Sequence, residues 1–148
     1  MQRTQHIDGK VKYAPGKLVA KGIREGKKIE TVVETTGAPA AVRLTADRTQ
    51  LAADNADLAV VNVAIVDAQG RVVPIADNKV TFTITGPGKL IGVGNGDPSC
   101  HEPDKGSSRP AFNGLAQAIV QTTAKSGKIE FKTEAPGLKA ASVTLKSR

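Results

Sequence analysis

The sequence predicts an all-β chain, and three observations carry that expectation. Its apolar residues, 39% of the total, are dominated by Val, Ile, Leu and Ala, with only 3% aromatic and no tryptophan. Fifteen glycines and eight prolines break the chain at short intervals, as turns between strands require. Between those breaks, apolar residues alternate with Lys, Thr and Glu, the period of a strand with one face in a core. No long segment shows helical periodicity with caps at its ends.

Taken in order, "YAPG" (Tyr13–Gly16) supplies a turn. A strand over Lys17–Arg24 then turns through "EGK" into a second strand over Lys28–Thr35. Two strands alone are marginal in water and need a further element over one face. Residues 1–37 are therefore expected to be the closing hairpin of a preceding small β-domain whose other strands are not in this chain. "TTGAPA" (Thr35–Ala40) marks the boundary, because Gly37 and Pro39 interrupt regular structure.

From residue 38 to 148 the strand signals recur regularly. "AVRLTAD" alternates Val42, Leu44 and Ala46, and "DLAVVNVAIVD" brings Val61, Val63 and Ile65 to one face. "AQGR" (Ala68–Arg71) reads as a turn, and "VVPIADNKV" as a crossing segment interrupted by Pro74. "KVTFTIT" is the clearest strand, with Val80, Phe82 and Ile84 inward and Lys79, Thr81, Thr83 and Thr85 outward. After the short "KLIGV" come "LAQAIVQTTA", "KIEFKTEA" with Ile129 and Phe131 inward, and "KAASVTLK" with Ala141, Val143 and Leu145 inward. Roughly seven strands in this span fit an immunoglobulin-like β-sandwich. A small barrel fits less well, since the strands differ in length and are broken by prolines.

Charge and cysteine content narrow the function classes. Of the net +7, residues 1–37 carry eight Lys/Arg against four Asp/Glu, and the remainder thirteen against ten. The lysines of "KIEFK" and "KLVAK" alternate with apolar residues, which places them on the water side, where they aid solubility and discourage edge pairing. Neither stacking aromatics nor a nucleic-acid module accompanies them, so nucleic acid is not an expected partner. No apolar run is long enough to cross a bilayer, and membrane insertion is not expected. The single Cys100 cannot form an internal disulfide.

The densest chemistry lies in "GVGNGDPSCHEPDKG" (Gly92–Gly106), which holds the cysteine, His101, three acids and four glycines. Cys100 and His101 are adjacent, so in an extended segment they point apart and make a poor nucleophile–base pair. Asp97, His101, Glu102 and Asp104 offer metal-ligand atoms, but their spacing matches no zinc or EF-hand pattern, and no metal or other cofactor is expected. Glu102 and Asp104 lack the fixed separation and cleft of a glycosidase pair. The stretch reads instead as a long loop, with Asn95 and Asp97 capping turns and prolines lowering its ordering entropy. Asn95, Asp97, His101, Glu102 and Arg109 form a candidate docking loop at the sandwich end, with His101 and Arg109 as polar contacts.

Two resemblances sharpen this. "VTFTITGPGKLIGVGNGDP" followed by "AFNGLAQAIVQTTAKSGKIEFKTEAPGLKAASVTL" resembles a bacterial immunoglobulin-like repeat of the invasin type. "KYAPGKLVAKGIREGKKIETVVETTGAPAAVRLTADR" with "NGDPSCHEPDKGSSRPAFNG" is similar to the C-terminal region of bacterial family 2 glycoside hydrolases, β-galactosidases in particular. There, a small β-domain ends in a "PYAPG-x-L-x-A" hairpin and an immunoglobulin-like domain follows. The resemblance implies a non-catalytic accessory region of a periplasmic or extracellular glycosidase, with the parent's other domains as its partners. That family's two catalytic glutamates sit on a (β/α)₈ barrel, and no position here matches their motifs, so no catalytic residue carries over. A carbohydrate-binding module and an adhesin-type spacer are the competing expectations. Sugar platforms use exposed aromatic faces, for which Tyr13 and Phe112 are the residues left once Phe82 and Phe131 point inward.

Overall fold

A computed structural model of the protein describes residues 9–148; the polar stretch preceding them lies outside the described residues. Two compact units result, the first ending at Thr35 and the second spanning Thr36–Arg148. The described residues form strands and turns with no helix.

The first unit is an antiparallel hairpin of β1 (Lys17–Arg24) and β2 (Lys27–Glu34). Its turn is tighter than the sequence suggests. Glu25 and Gly26 both take positive φ, 52° and 76°, the two-residue geometry whose twist matches that of the paired strands. The open end is closed by Thr35, whose N–H donates to Gly16 O at 2.8 Å and whose hydroxyl accepts from Gly16 N–H at 3.0 Å. Directly opposed residues share a face. Lys17–Glu34 (3.4 Å) and Lys21–Glu30 (3.6 Å) form ion pairs on one face. The other face presents the Leu18/Val33, Ala20/Thr31 and Gly22/Ile29 pairs, and Leu18, Val33 and Ile29 are exposed there.

The second unit is a two-layer sandwich. One layer orders β3 (Ala41–Ala46), β5 (Leu58–Val66), β9 (Leu115–Thr122) and β7 (Gly88–Gly94). The other orders β4 (Gln50–Leu51), β11 (Ala141–Ser147), β10 (Gly127–Glu134), β6 (Lys79–Thr85) and β8 (Ser108–Pro110). All pairings are antiparallel except β4 with β11.

The alternation read from the sequence sets the core. Val61, Val63 and Ile65 of β5 face Val80 and Phe82 of β6, Ile129 and Phe131 of β10 and Leu145 of β11 across one buried cluster. Phe82 and Phe131 stack with ring centroids 5.7 Å apart, a geometry that adds to their area burial. Ile84, Ala141 and Val143 pack on the periphery, half-buried.

Two short strands have no clear sequence signature. β4 is two residues long and is anchored by buried Leu51. β8 contains Pro110, which lacks an N–H for a ladder; β8 accordingly lies at a sheet edge. The rim beside β3 is joined to the second layer through main chain, with Lys139 N–H donating to Ala40 O (3.0 Å) and Val42 N–H to Lys139 O (2.9 Å).

Candidate functional site

The cysteine-bearing loop joins β7, the edge of the four-stranded layer, to β8, the edge of the five-stranded one. It therefore spans the rim of the sandwich opposite β3. Its organiser is Arg109, the middle residue of β8, which pairs across the ladder with Val80 and is 1% exposed. Nη1 donates to Cys100 Sγ (3.0 Å) and Glu102 O (3.1 Å). Nη2 donates to Val93 O (3.0 Å), Pro103 O (3.0 Å) and an Asp104 carboxylate oxygen (2.9 Å). Nε has no protein partner. A guanidinium suits this place because its planar fork offers several donors in fixed directions and carries its charge with little hydration. Val93 N–H returns a bond to Asp104 O at 2.7 Å.

The rest of the loop is held by its own side chains. Asn95 donates from Nδ2 to Pro110 O (3.1 Å) and accepts from Asp97 N–H (3.0 Å). Asp97 accepts from the Ser99 hydroxyl (2.7 Å) and Ser99 N–H (2.9 Å). Those two bonds, the hydroxyl foremost, lower its pKa; burial opposes them and the nearby His101 assists. Asn95 and Asp97 are thus turn-capping residues. His101 and Glu102 are exposed. Arg109 corrects the expectation of a polar docking contact: it is buried beneath the loop, where the five acceptors need it. Asp97, His101, Glu102 and Asp104 do not converge, and among the described residues no three His, Cys, Asp or Glu side chains are placed to hold a metal ion.

A second buried charge, not singled out by sequence reasoning, sits just past the C-terminal end of β5. Asp67 is 2% exposed and accepts from the N–H groups of Gly37 (2.9 Å), Gln69 (3.0 Å) and Arg71 (2.9 Å). Arg71 adds Nε at 2.8 Å and Nη2 at 2.8 Å. Burial acts to raise the Asp67 pKa, but the Gly37 N–H, the Arg71 side chain and the Arg71 and Gln69 N–H groups outweigh it and hold the carboxyl well below the usual range. The same contacts pin the chain where it runs into the sandwich, since Ala40 N–H also donates to Val66 O at 2.8 Å. The turn "AQGR" was legible; that its first anchor is a buried carboxylate was not.

This end of the sandwich also carries its exposed apolar residues. Asn113 and Gly114 (φ 52° and 76°) make a two-residue turn, closed by reciprocal bonds between Phe112 and Leu115 at 2.9 and 3.0 Å. The crossing segment lies against that turn: Gly114 N–H donates to Ala76 O (2.9 Å), Ile65 N–H to Gly114 O (2.8 Å) and Val73 N–H to Ile65 O (3.0 Å). Ile75, Phe112 and Leu115 are 88%, 37% and 48% exposed, and they are the large apolar residues that the described sandwich leaves in water.

With the geometry in hand, comparison with known proteins places the chain. The model of glycoside hydrolase family 2 C-terminal domain 5 matches residues 42–144, nearly the whole sandwich. The chain belongs to that family. It is 39% identical over 137 residues to the β-galactosidase BoGH2A of Bacteroides ovatus, covering 92% of this chain and 16% of that protein. It is 37% identical over 145 residues to a β-glucuronidase of Formosa agariphila, covering 93% of this chain and 14% of that one. The chain thus spans about a sixth of the length of the curated relatives it matches. Among solved structures, a glycosyl hydrolase family 2 member from Bacteroides cellulosilyticus superposes with a TM-score of 0.90 at 32% identity, over 93% of this chain and 18% of that one. As a family 2 C-terminal domain, the sandwich presents two features at the end where the chain arrives: the apolar cluster around the Asn113–Gly114 turn, and the start of the Arg109-held loop, since Gly94 pairs with Gln117 near the beginning of β9.

Proposed function

We propose that this chain is the C-terminal accessory region of a β-galactosidase-type glycoside hydrolase, acting at terminal β-galactosides outside the cytoplasm, and that it breaks no glycosidic bond itself. Its work is to stabilise and position the domains that do. The observation that carries this is the family match over residues 42–144 in a chain that aligns with only 16% of the length of its β-galactosidase relative. Three carboxylates of the sandwich are consistent with it: Glu102 and Asp104 are exposed on a loop, Asp104 paired with Arg109, and Asp67 is engaged by backbone and Arg71. A glycosidase pair instead faces a sugar across a cleft at a fixed separation. The galactoside reading is favoured over a glucuronide by the higher identity to the galactosidase.

The test compares the 148-residue chain with the full-length parent polypeptide on chromogenic β-galactoside and β-glucuronide. Turnover of the galactoside by the full-length protein alone is the expected result. Turnover by the 148-residue chain overturns the accessory role, and preference for the glucuronide overturns the galactoside assignment. A reading frame without a catalytic barrel overturns the parent itself.

A further inference from the structure

From the placement of Ile75, Phe112 and Leu115 we infer that these residues are the seat on which the sandwich docks against a domain preceding it in the parent polypeptide. The inference rests on the accessory role proposed above and gives it a surface. Four features lead to it.

The first is clustering. The sandwich buries its aliphatic side chains thoroughly, yet its exposed large apolar residues fall on one turn and the segment bonded to it. Scattered single exposures need no explanation, whereas the largest apolar patch on a domain, commonly a few hundred Å², is often functional.

The second is rigidity. Gly114 at φ 76° leaves no room for a Cβ beside Val73 O, and the turn is bonded to Ala76, Ile65 and, through the Phe112–Leu115 pair, to itself. The main chain carrying these side chains is thus ordered in advance, so docking costs side-chain rotamers but little loop ordering.

The third is size. Three partly exposed side chains offer on the order of 300 Å² of apolar surface, against the 1,200 Å² or more that separate chains bury in a stable complex. A domain on the same polypeptide needs far less, because tethering supplies an effective concentration near millimolar.

The fourth is location. Gly37 and Ala40, where the chain runs into the sandwich, are bonded to Asp67 and Val66 at the end of β5, and the crossing segment and turn are bonded to Ile65 beside them. The patch thus lies at the same end of β5 as the segment Gly37–Ala40 that leads into the sandwich.

The experiment is hydroxyl-radical footprinting of the 148-residue chain and of the full-length parent, each at two concentrations tenfold apart. Ile75, Phe112 and Leu115 are expected to label at least about threefold more slowly in the full-length protein at both concentrations. Ile75→Glu is expected to restore labelling of Phe112 and Leu115 in the full-length protein, while shifting the melting temperature of the 148-residue chain by no more than about 2 °C. Equal labelling in the two proteins overturns the dock. Protection that grows with concentration assigns the patch to a second copy, and protection that requires added galactan assigns it to sugar; either overturns the inference. Galactosidase activity of the same full-length preparation reports separately on the proposed function. Activity with equal labelling sinks the dock alone, and a protected patch in an inactive protein sinks the function alone.

Discussion

Replacing Arg109 by alanine removes five hydrogen bonds from one buried side chain. The acceptors do not lose equally. Glu102, Pro103 and Asp104 are exposed, so their oxygens regain water once the loop relaxes. Val93 is 5% exposed, and its carbonyl is left without that partner inside the rim, at about 1–3 kcal/mol. The missing stem and the loosened loop add about 1–2 kcal/mol. The sum for Arg109→Ala is about 3 kcal/mol, which at an m-value of about 1.5 kcal/mol/M lowers the urea midpoint by about 2 M. Arg109→Lys keeps the charge but offers three donors from one point, and is expected to lose about half as much. Asp104→Asn touches a carboxylate that is 88% exposed and is expected to cost no more than about 1 kcal/mol. Urea titrations followed by far-ultraviolet circular dichroism measure all three. A loss below about 0.5 M for Arg109→Ala, or an Asp104→Asn loss equal to it, refutes the view that the guanidinium's grip on main-chain carbonyls holds this rim.

Two further predictions concern the end where the chain arrives. The Asp67 carboxyl has a lower pKa folded than unfolded, so the unfolded chain takes up the proton first on acidification. Stability from this group is complete above the unfolded value of about 3.9 and is lost as pH falls below it; Asp67→Asn should flatten the acid limb of a melting-temperature profile, and an unchanged limb refutes the assignment. Gly114→Ala forces a side chain into φ 76° and onto the Val73 carbonyl, whereas Gly137→Ala meets the same φ with open space around it. Thermal unfolding should show a loss of about 2 kcal/mol or more for Gly114 and about 1 kcal/mol for Gly137; equal losses refute the role given to the Val73 contact.

Where the sequence spoke clearly, it did so through periodicity. In "KVTFTIT" and "KIEFKTE" every second residue is apolar save Thr133, and the structure buries Val80, Phe82, Ile129 and Phe131 as that pattern requires. β4 and β8 are too short to show a period, and Pro110 argues against a strand unless the strand is known to be an edge. The loop was legible as a loop, because Asn95 and Asp97 act on neighbours two residues away. Arg109 was not legible as its keystone. Its partners are mostly main-chain carbonyls, which leave no mark in side-chain identity, and its own charge argues for water. One faint signal exists: Arg109 stands two residues before buried Ala111, in the inward phase. Asp67 escaped notice for the same reason, since three of its donors are backbone N–H groups.

The two rims of the sandwich are fastened by different materials. Around Ala41 the layers are laced by peptide groups of Ala40, Val42 and Lys139, which any sequence supplies and no ordinary substitution deletes. Across from it the fastening leans on one cationic side chain, with the Val93–Asp104 main-chain bond and the Asn95–Pro110 bond beside it, so a single codon change loosens that margin and leaves the other shut. Drift in this lineage should therefore fray the sandwich asymmetrically, along the seam between β7 and β8.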